Sequence, residues 1–251
     1  MINFIGLQGP GVVKFRDEKL PLMLRFGVPV IVNVCGKTVA EYVGVVECLE
    51  EDTSGVITAY EVNISCPNID HGGCAFGQDV VLAAEVVRAV RQITRRPLIV
   101  KLTPNVTNAV LIARAVIEAG ANAISACNTF VARRKIWNGP YRGRYVQGGL
   151  SGPCIMPIAL RIVSDLAKAN LGVPIIGIGG IATVFDVVEF LESGAIAVQI
   201  GTASLTDPLV MMKLIQNLGL YIEMAGCQSL AEWRAKGLPM PKDEDLRKLR
   251  E

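Results

Sequence analysis

A thiol lies between two carboxamides in the segment Glu61-Val62-Asn63-Ile64-Ser65-Cys66-Pro67-Asn68. A thiolate acts as nucleophile or base, and two asparagines can hold a planar polar ligand beside it without adding charge. Cys66 is therefore the first candidate for a reactive group, with Asn63 and Asn68 as its ligand-holding neighbours. The chain has seven cysteines, at 35, 48, 66, 74, 127, 154 and 227. Free cysteines are usually buried small hydrophobes, and the other six are read that way. Cys66 is set apart by what surrounds it.

The apolar run from Val56 to Ile64 reads as a buried strand that ends at this motif, with Pro67 fixing the turn beyond it. Parallel α/β folds keep their chemistry there, past the carboxyl ends of the strands. Other strand ends carry polar tips as well. Lys101 closes the strand Pro97–Leu102, where a cation is costly unless it meets an anion. That anion is either a reduced flavin ring or a partner in an interior ion pair. Asn33, Asn128 and Thr129 stand at two further strand ends, so four strands offer polar tips to one rim. Gly179-Gly180 and Gly201-Thr202 follow the last two strands. Backbone N–H groups freed by glycine at this pair of loops form the recurrent phosphate site of barrels.

The elements that must hold these residues alternate. Strands are expected at Pro29–Val34, Gly55–Ser65, Pro97–Leu102, Ala121–Cys127, Val173–Ile178 and Ala195–Ile200, each continuously apolar as parallel strands covered on both faces are. Helices are expected at Thr38–Glu51, Val80–Thr94, Thr107–Ala119, Ile155–Ala169, Thr183–Ser193 and Pro208–Leu218. Thr38, Thr107, Thr183 and Asp207 are the expected caps, and Gly120 and Gly194 the expected ends. Six βα units of a TIM (β/α)8-type barrel are visible, and residues 1–251 form one partial barrel domain. The opening Met1–Leu7 reads as the tail of something rather than a first strand. The polar segment Cys227–Glu251 ends in a solvated surface helix.

Composition narrows the class. With 51% hydrophobic and 19% charged residues, the chain buries a large core. A net charge of +2 gives no electrostatic footprint for nucleic acid or an anionic membrane. An odd number of cysteines without CxxC spacing suits a reducing compartment, and no apolar stretch is long enough to span a bilayer. A cytoplasmic enzyme is expected, with no metal site. His71, the only histidine, is read as a surface-loop residue rather than a partner for Cys66.

Asn63-Ile-Ser-Cys66-Pro-Asn68, Val100-Lys101-Leu-Thr-Pro-Asn105, Asn128-Thr129, Gly148-Gly-Leu-Ser-Gly-Pro153, Ile178-Gly179-Gly180-Ile181 and Val198-Gln-Ile-Gly201-Thr202-Ala occur in this order. Together they resemble the dihydroorotate dehydrogenases, in particular the class 1B catalytic subunits, from about Asn3 to about Tyr221. The resemblance implies that Cys66 removes the C5 proton of dihydroorotate while the C6 hydride passes to N5 of FMN. It gives Asn63, Asn68, Asn128 and Thr129 to the substrate, together with Asn3, Ile5, Gly6 and Leu7. It assigns Asn33, Asn63, Lys101 and Cys127 to the flavin ring, and Gly152, Gly179, Gly180, Gly201 and Thr202 to its ribityl phosphate. Cys127 would act there as a hydrophobic substitute for an aliphatic residue. Electrons would leave to NAD through a separate subunit carrying FAD and an iron–sulfur cluster, in an oligomeric assembly.

Two further features qualify the resemblance. The family's opening two βα units, roughly 60 residues, have no counterpart here. A truncated gene model or an inactive remnant that binds FMN poorly is thus one alternative. Arg133, Arg134, Lys135, Arg142 and Arg144 form a basic loop where relatives are apolar and then acidic. This loop either contacts a substrate carboxylate or a redox partner's acidic face, or is simply solvated. It is also the feature that could turn the enzyme toward another dihydropyrimidine, such as dihydrouracil or dihydrothymine. A phosphate-binding barrel lyase without flavin rests only on the glycine loops.

Overall fold

The computed structural model describes residues 1–3, 8–52, 54–65, 76–246 and 249. The chain opens with β1 (Ile2–Asn3) and a helical stretch from α1 (Val12–Lys14) through a π turn (Phe15–Lys19) to α2 (Leu20–Leu24). Then follow β2 (Val30–Val34), α3 (Val39–Glu50), β3 (Ile57–Asn63), α4 (Val80–Ile93), β4 (Leu98–Lys101), α5 (Ala109–Glu118) and β5 (Ala123–Ala126). A hairpin of β6 (Phe130–Lys135) and β7 (Tyr145–Leu150) precedes α6 (Met156–Lys168), β8 (Ile175–Ile178), α7 (Val184–Glu192) and β9 (Ala197–Gln199). The chain closes with α8 (Thr202–Thr206), α9 (Val210–Met224), α10 (Leu230–Ala235) and α11 (Asp243–Leu246).

The main sheet runs β2-β3-β4-β5-β8-β9, and every neighbouring pair is parallel. Its two faces have different contents because side chains alternate along a strand. Tyr60, Val62, Leu98, Val100 and Ile124 point outward and share a core with Val46 of α3, Val86 of α4, Ile112 of α5 and Val163 of α6. Ala59, Ile99, Ala123 and Ile176 point inward and form a small apolar floor. The sheet is strongly curled. Gln199 on β9 donates to Glu61 on β3 over 2.7 Å, although the two strands are four steps apart in the sheet. In a flat sheet four steps would hold them about 19 Å apart. This is the TIM-barrel-like α/β fold expected from the sequence, and all six expected strands are present.

Thr38 and Thr183 cap α3 and α7 as expected, the second with a full capping box through Asp186. Two caps are corrected. Asn108 rather than Thr107 caps α5, accepting from Val110 N at 3.0 Å. Asp207 accepts from Leu209 N at 2.9 Å but stands two residues ahead of the cap position of α9, Leu209. That helix continues through Gly219 to Met224, past the expected end at Leu218. Burial of Tyr221 and Ile222 offsets the roughly 1 kcal/mol that a mid-helix glycine costs.

Three regions depart from expectation more widely. Residues 12–24 are helical, with the π turn just ahead of Pro21, which has no N–H to donate. The basic loop is a β-hairpin, in which Arg133 stacks over Tyr145 at 4.4 Å and Lys135 over Trp137 at 4.6 Å. Ile2–Asn3 pairs antiparallel with Leu150 and Gly149 and so belongs to the hairpin sheet, not the barrel. The polar carboxyl-terminal segment is anchored by Trp233, fully buried edge-on against Tyr221 and donating to Pro239 O at 2.9 Å. Among the described residues, no helix is long and apolar enough to cross a membrane.

Candidate active site

The inward residues of β3 are Ala59, Glu61 and Asn63. Glu61 and Asn63 are both buried, at 4% and 5% exposure. Asn63 ends the strand and is fixed from two sides. Its carbonyl accepts from the Tyr42 hydroxyl of α3 at 2.6 Å. Its side-chain oxygen accepts from Ser65 N at 3.2 Å and from the Asn128 amide at 3.1 Å. The Asn128 side-chain oxygen in turn accepts from Thr129 N at 2.8 Å. Asn105 braces the same segment, donating to Thr129 O at 3.1 Å and accepting from Val131 N at 2.9 Å. Asn63 and the Asn128-Thr129 pair, expected from sequence at the tips of two strands, therefore form one hydrogen-bonded chain.

The hairpin sheet brings Asn3 to the same place. Both Asn3 of β1 and Val131 of β6 register with Gly149 of β7. The Asn3 amide makes a long 3.5 Å hydrogen bond to Gly149 O. A Cβ at Gly149 would lie 2.2 Å from the Thr129 hydroxyl oxygen, so only glycine admits Thr129 at this distance.

A second polar group lies below this rim, on the same inner face. Glu61 accepts from Asn33 at 2.6 Å, from Ser125 at 2.7 Å and from Gln199 at 2.7 Å, and Lys101 Nζ stands 3.7 Å from its carboxylate. The anion that the strand-end lysine required is thus at least in part Glu61. Cys127 is 2% exposed. Burial pushes its thiol up to about 12, with Lys101 only partly opposing the shift. A thiol that stays protonated at neutral pH behaves as the hydrophobic residue expected from the sequence.

The glycine loops converge after β7, β8 and β9. A Cβ at Gly180, where φ is +81°, would lie 2.9 Å from Gly152 O and 3.0 Å from Met156 N. A Cβ at Gly152 would meet Thr202 Cγ2 at 3.4 Å, and Thr202 donates to the Ser151 hydroxyl at 2.8 Å. Gly201 has open space where its side chain would be. Gly179 differs: a Cβ there would lie 2.7 Å from Ala159 of α6, so its small size serves helix packing. A cavity of about 700 Å³ opens between β2 and β9, walled by Ile31, Val198, Ile200 and α9, with Glu61 and Gln199 as its polar groups.

Cys66, Asn68, His71, Ile5, Gly6 and Leu7 lie outside the described residues. Sequence reasoning missed Glu61, Ser125, Gln199, Asn105 and Tyr42. Glu61 had a signal: it is a charge in an apolar strand run, two residues before Asn63 and so on the same face.

Parallel strands curled with helices outside and polar side chains gathered at their carboxyl ends define a TIM-barrel-like α/β enzyme. The sequence profile of dihydroorotate dehydrogenase matches residues 1–222. The catalytic subunit of dihydroorotate dehydrogenase B (NAD(+)) from Geotalea uraniireducens is 45% identical over 239 residues, 92% of this chain and 75% of that protein. The protein of the same name from Geobacillus kaustophilus is 43% identical over 233 residues, covering 92% of this chain and 74% of the relative. A crystal structure of DHODH from Eimeria tenella in complex with ferulenol superposes with a TM-score of 0.69, over 90% of this chain and 68% of that one. At 22% identity this last likeness speaks for the fold. The chain belongs to the dihydroorotate dehydrogenase family.

Proposed function

We propose that this protein oxidises dihydroorotate to orotate in pyrimidine biosynthesis, with FMN as its cofactor and Cys66 as its base. The observation that carries the reading is the hydrogen-bonded run of neutral groups from Asn63 through Asn128 to Thr129, with Asn3 facing it across Gly149. Neutral amides and a hydroxyl can match the donor and acceptor edges of a pyrimidine ring. They also leave a nearby thiol free to gain and lose a proton.

The remaining groups fit a flavin mononucleotide. Three glycine-bearing loops meet with the Thr202 hydroxyl at their junction and open space at Gly201, as a phosphate needs. Asn33, Lys101 and Gln199 supply donors on the inner face for a flat heteroaromatic ring. Bound FMN would supply the acceptor for the hydride that leaves C6. Cys66 takes the C5 proton, Asn63 and Asn128 hold the ring so that both C–H bonds face their acceptors, and the C5–C6 double bond forms. The apolar floor of Ala59, Ile99 and Ala123 lies below these donors on the same face.

Electrons then leave to NAD through a separate subunit carrying FAD and an iron–sulfur cluster. The names of the relatives, each a catalytic subunit of an NAD(+) enzyme, support that arrangement.

Orotate affinity, read from the flavin difference spectrum, tests the substrate assignment. Asn63→Ala removes one ligand contact and leaves Asn128 and the Ser65 N–H without their acceptor. At about 1 kcal/mol for each hydrogen bond, the expected weakening is roughly 10- to 100-fold. Unchanged orotate affinity in this variant, or tighter binding of uracil than of orotate to the unmutated protein, would contradict it.

A further inference from the structure

Glu61 is the one buried carboxylate among the described residues, and three side chains donate to it. Its donors come from β2, β5 and β9, and Lys101 reaches it from β4, so the strands on both sides of β3 converge on it. A buried carboxylate without such partners would be expelled or neutralised. Here each oxygen is engaged: Oε1 by Ser125 and Gln199, and Oε2 by Asn33 and Lys101. Packing alone does not require this arrangement. The layer immediately below, Ala59, Ile99, Ala123 and Ile176, fills the same sheet face with hydrocarbon. The carboxylate also lines the cavity of about 700 Å³ between β2 and β9.

We propose that Glu61 is a positioning residue that holds Lys101 and the amides of Asn33 and Gln199 at the flavin-binding face and offsets the Lys101 charge there. This rests on the FMN-binding reading above. Two effects of opposite sense follow. As a hub, Glu61 fixes the reach of three side chains that would contact the ring. As an anion 3.7 Å from Lys101 Nζ, it weakens the attraction of that cation for the negative charge a flavin gains on reduction. Its neutral donors moderate it in turn, since Ser125 and Gln199 each draw on the charge of Oε1.

The test is the midpoint potential of the bound flavin, measured by anaerobic dye titration of the FMN-loaded protein. Glu61→Gln keeps the size and one acceptor but removes the charge. Reduced flavin should then be favoured over oxidised by about tenfold, the scale of one unit charge in a partly buried site. That is an upward shift of about 30 mV for a two-electron couple. Glu61→Asp keeps the charge and should stay close to the unmutated value, although its shorter arm strains the hydrogen bonds. A residue serving only as packing predicts the reverse, with the shorter Asp more disruptive than the near-isosteric Gln. Ser125→Ala, a small change at a buried site, removes one donor and leaves the anion stronger, so the potential should fall. This second variant carries the test should Glu61→Gln not fold. Potentials within a few millivolts of unmutated protein in both variants would overturn the proposal while leaving FMN binding intact. Unmutated protein that takes up no FMN would instead overturn the functional reading, and this inference with it.

Discussion

Alanine at Cys66 is expected to lower the rate of anaerobic flavin reduction by dihydroorotate about 10³-fold while leaving bound FMN at one per chain. The magnitude is that of a general base removed from a positioned site, 10²- to 10⁴-fold. The two readouts separate because the groups that fit the flavin lie elsewhere. The proposed phosphate loops follow β7, β8 and β9, and the proposed ring donors stand on β2, β4 and β9. The described rim residues that would hold the substrate brace one another. Asn63 is fixed by Tyr42, Ser65 and Asn128, so orotate affinity should change by less than about tenfold, the worth of a single neutral hydrogen bond at most. Stopped-flow reduction, flavin stoichiometry and an orotate titration on one preparation decide the matter. Reduction within tenfold of the unmutated rate would remove Cys66 as the base.

Gly180→Ala should weaken FMN binding by about 100-fold. The backbone there is left-handed, at φ +81°, a conformation costing an L residue about 1–2 kcal/mol. The new methyl would also press on Gly152 O at 2.9 Å and Met156 N at 3.0 Å, backbone atoms of the neighbouring loop and of the first residue of α6. Relief requires the loop after β7 to move away from the loop after β8, which opens the proposed phosphate cradle. About 3 kcal/mol in all corresponds to roughly two powers of ten in affinity. Gly201→Ala makes the informative comparison. Its φ is −113° and its Cβ would meet nothing within 4 Å, so the apoprotein should melt at an unchanged temperature. FMN affinity should still fall if phosphate fills that space. Calorimetry of flavin binding to both variants, alongside apoprotein melting, reads the two costs apart. Unaltered FMN affinity in both would mean the phosphate lies elsewhere.

The strands were legible because parallel strands covered on both faces are written as unbroken apolar runs, and the helices between them carry a clear 3.6-residue period. The rim was legible for a related reason: Asn33, Asn63, Lys101 and Asn128 are polar residues at the ends of such runs. What escaped reading was what depends on pairing across the sheet. Glu61 was open to the same buried-charge argument as Lys101, yet its partners Ser125 and Gln199 are ordinary polar residues until the sheet curls. The hairpin of β6 and β7 escaped because five cations and Gly139-Pro140 read as a loop. Its strands gain their structure from mutual pairing and from cations lying on aromatic rings, neither of which leaves an alternating apolar pattern. Residues 12–24 hid a helix behind Pro21.

The central claim is that the inner rim holds FMN and dihydroorotate together in a geometry that allows hydride transfer. An anaerobic visible spectrum of the protein purified with FMN, taken before and after adding dihydroorotate, tests this directly. The account predicts that flavin absorbance is present and bleaches on addition, with one orotate formed for each flavin reduced. Flavin that stays bound and oxidised in the presence of excess dihydroorotate would contradict it.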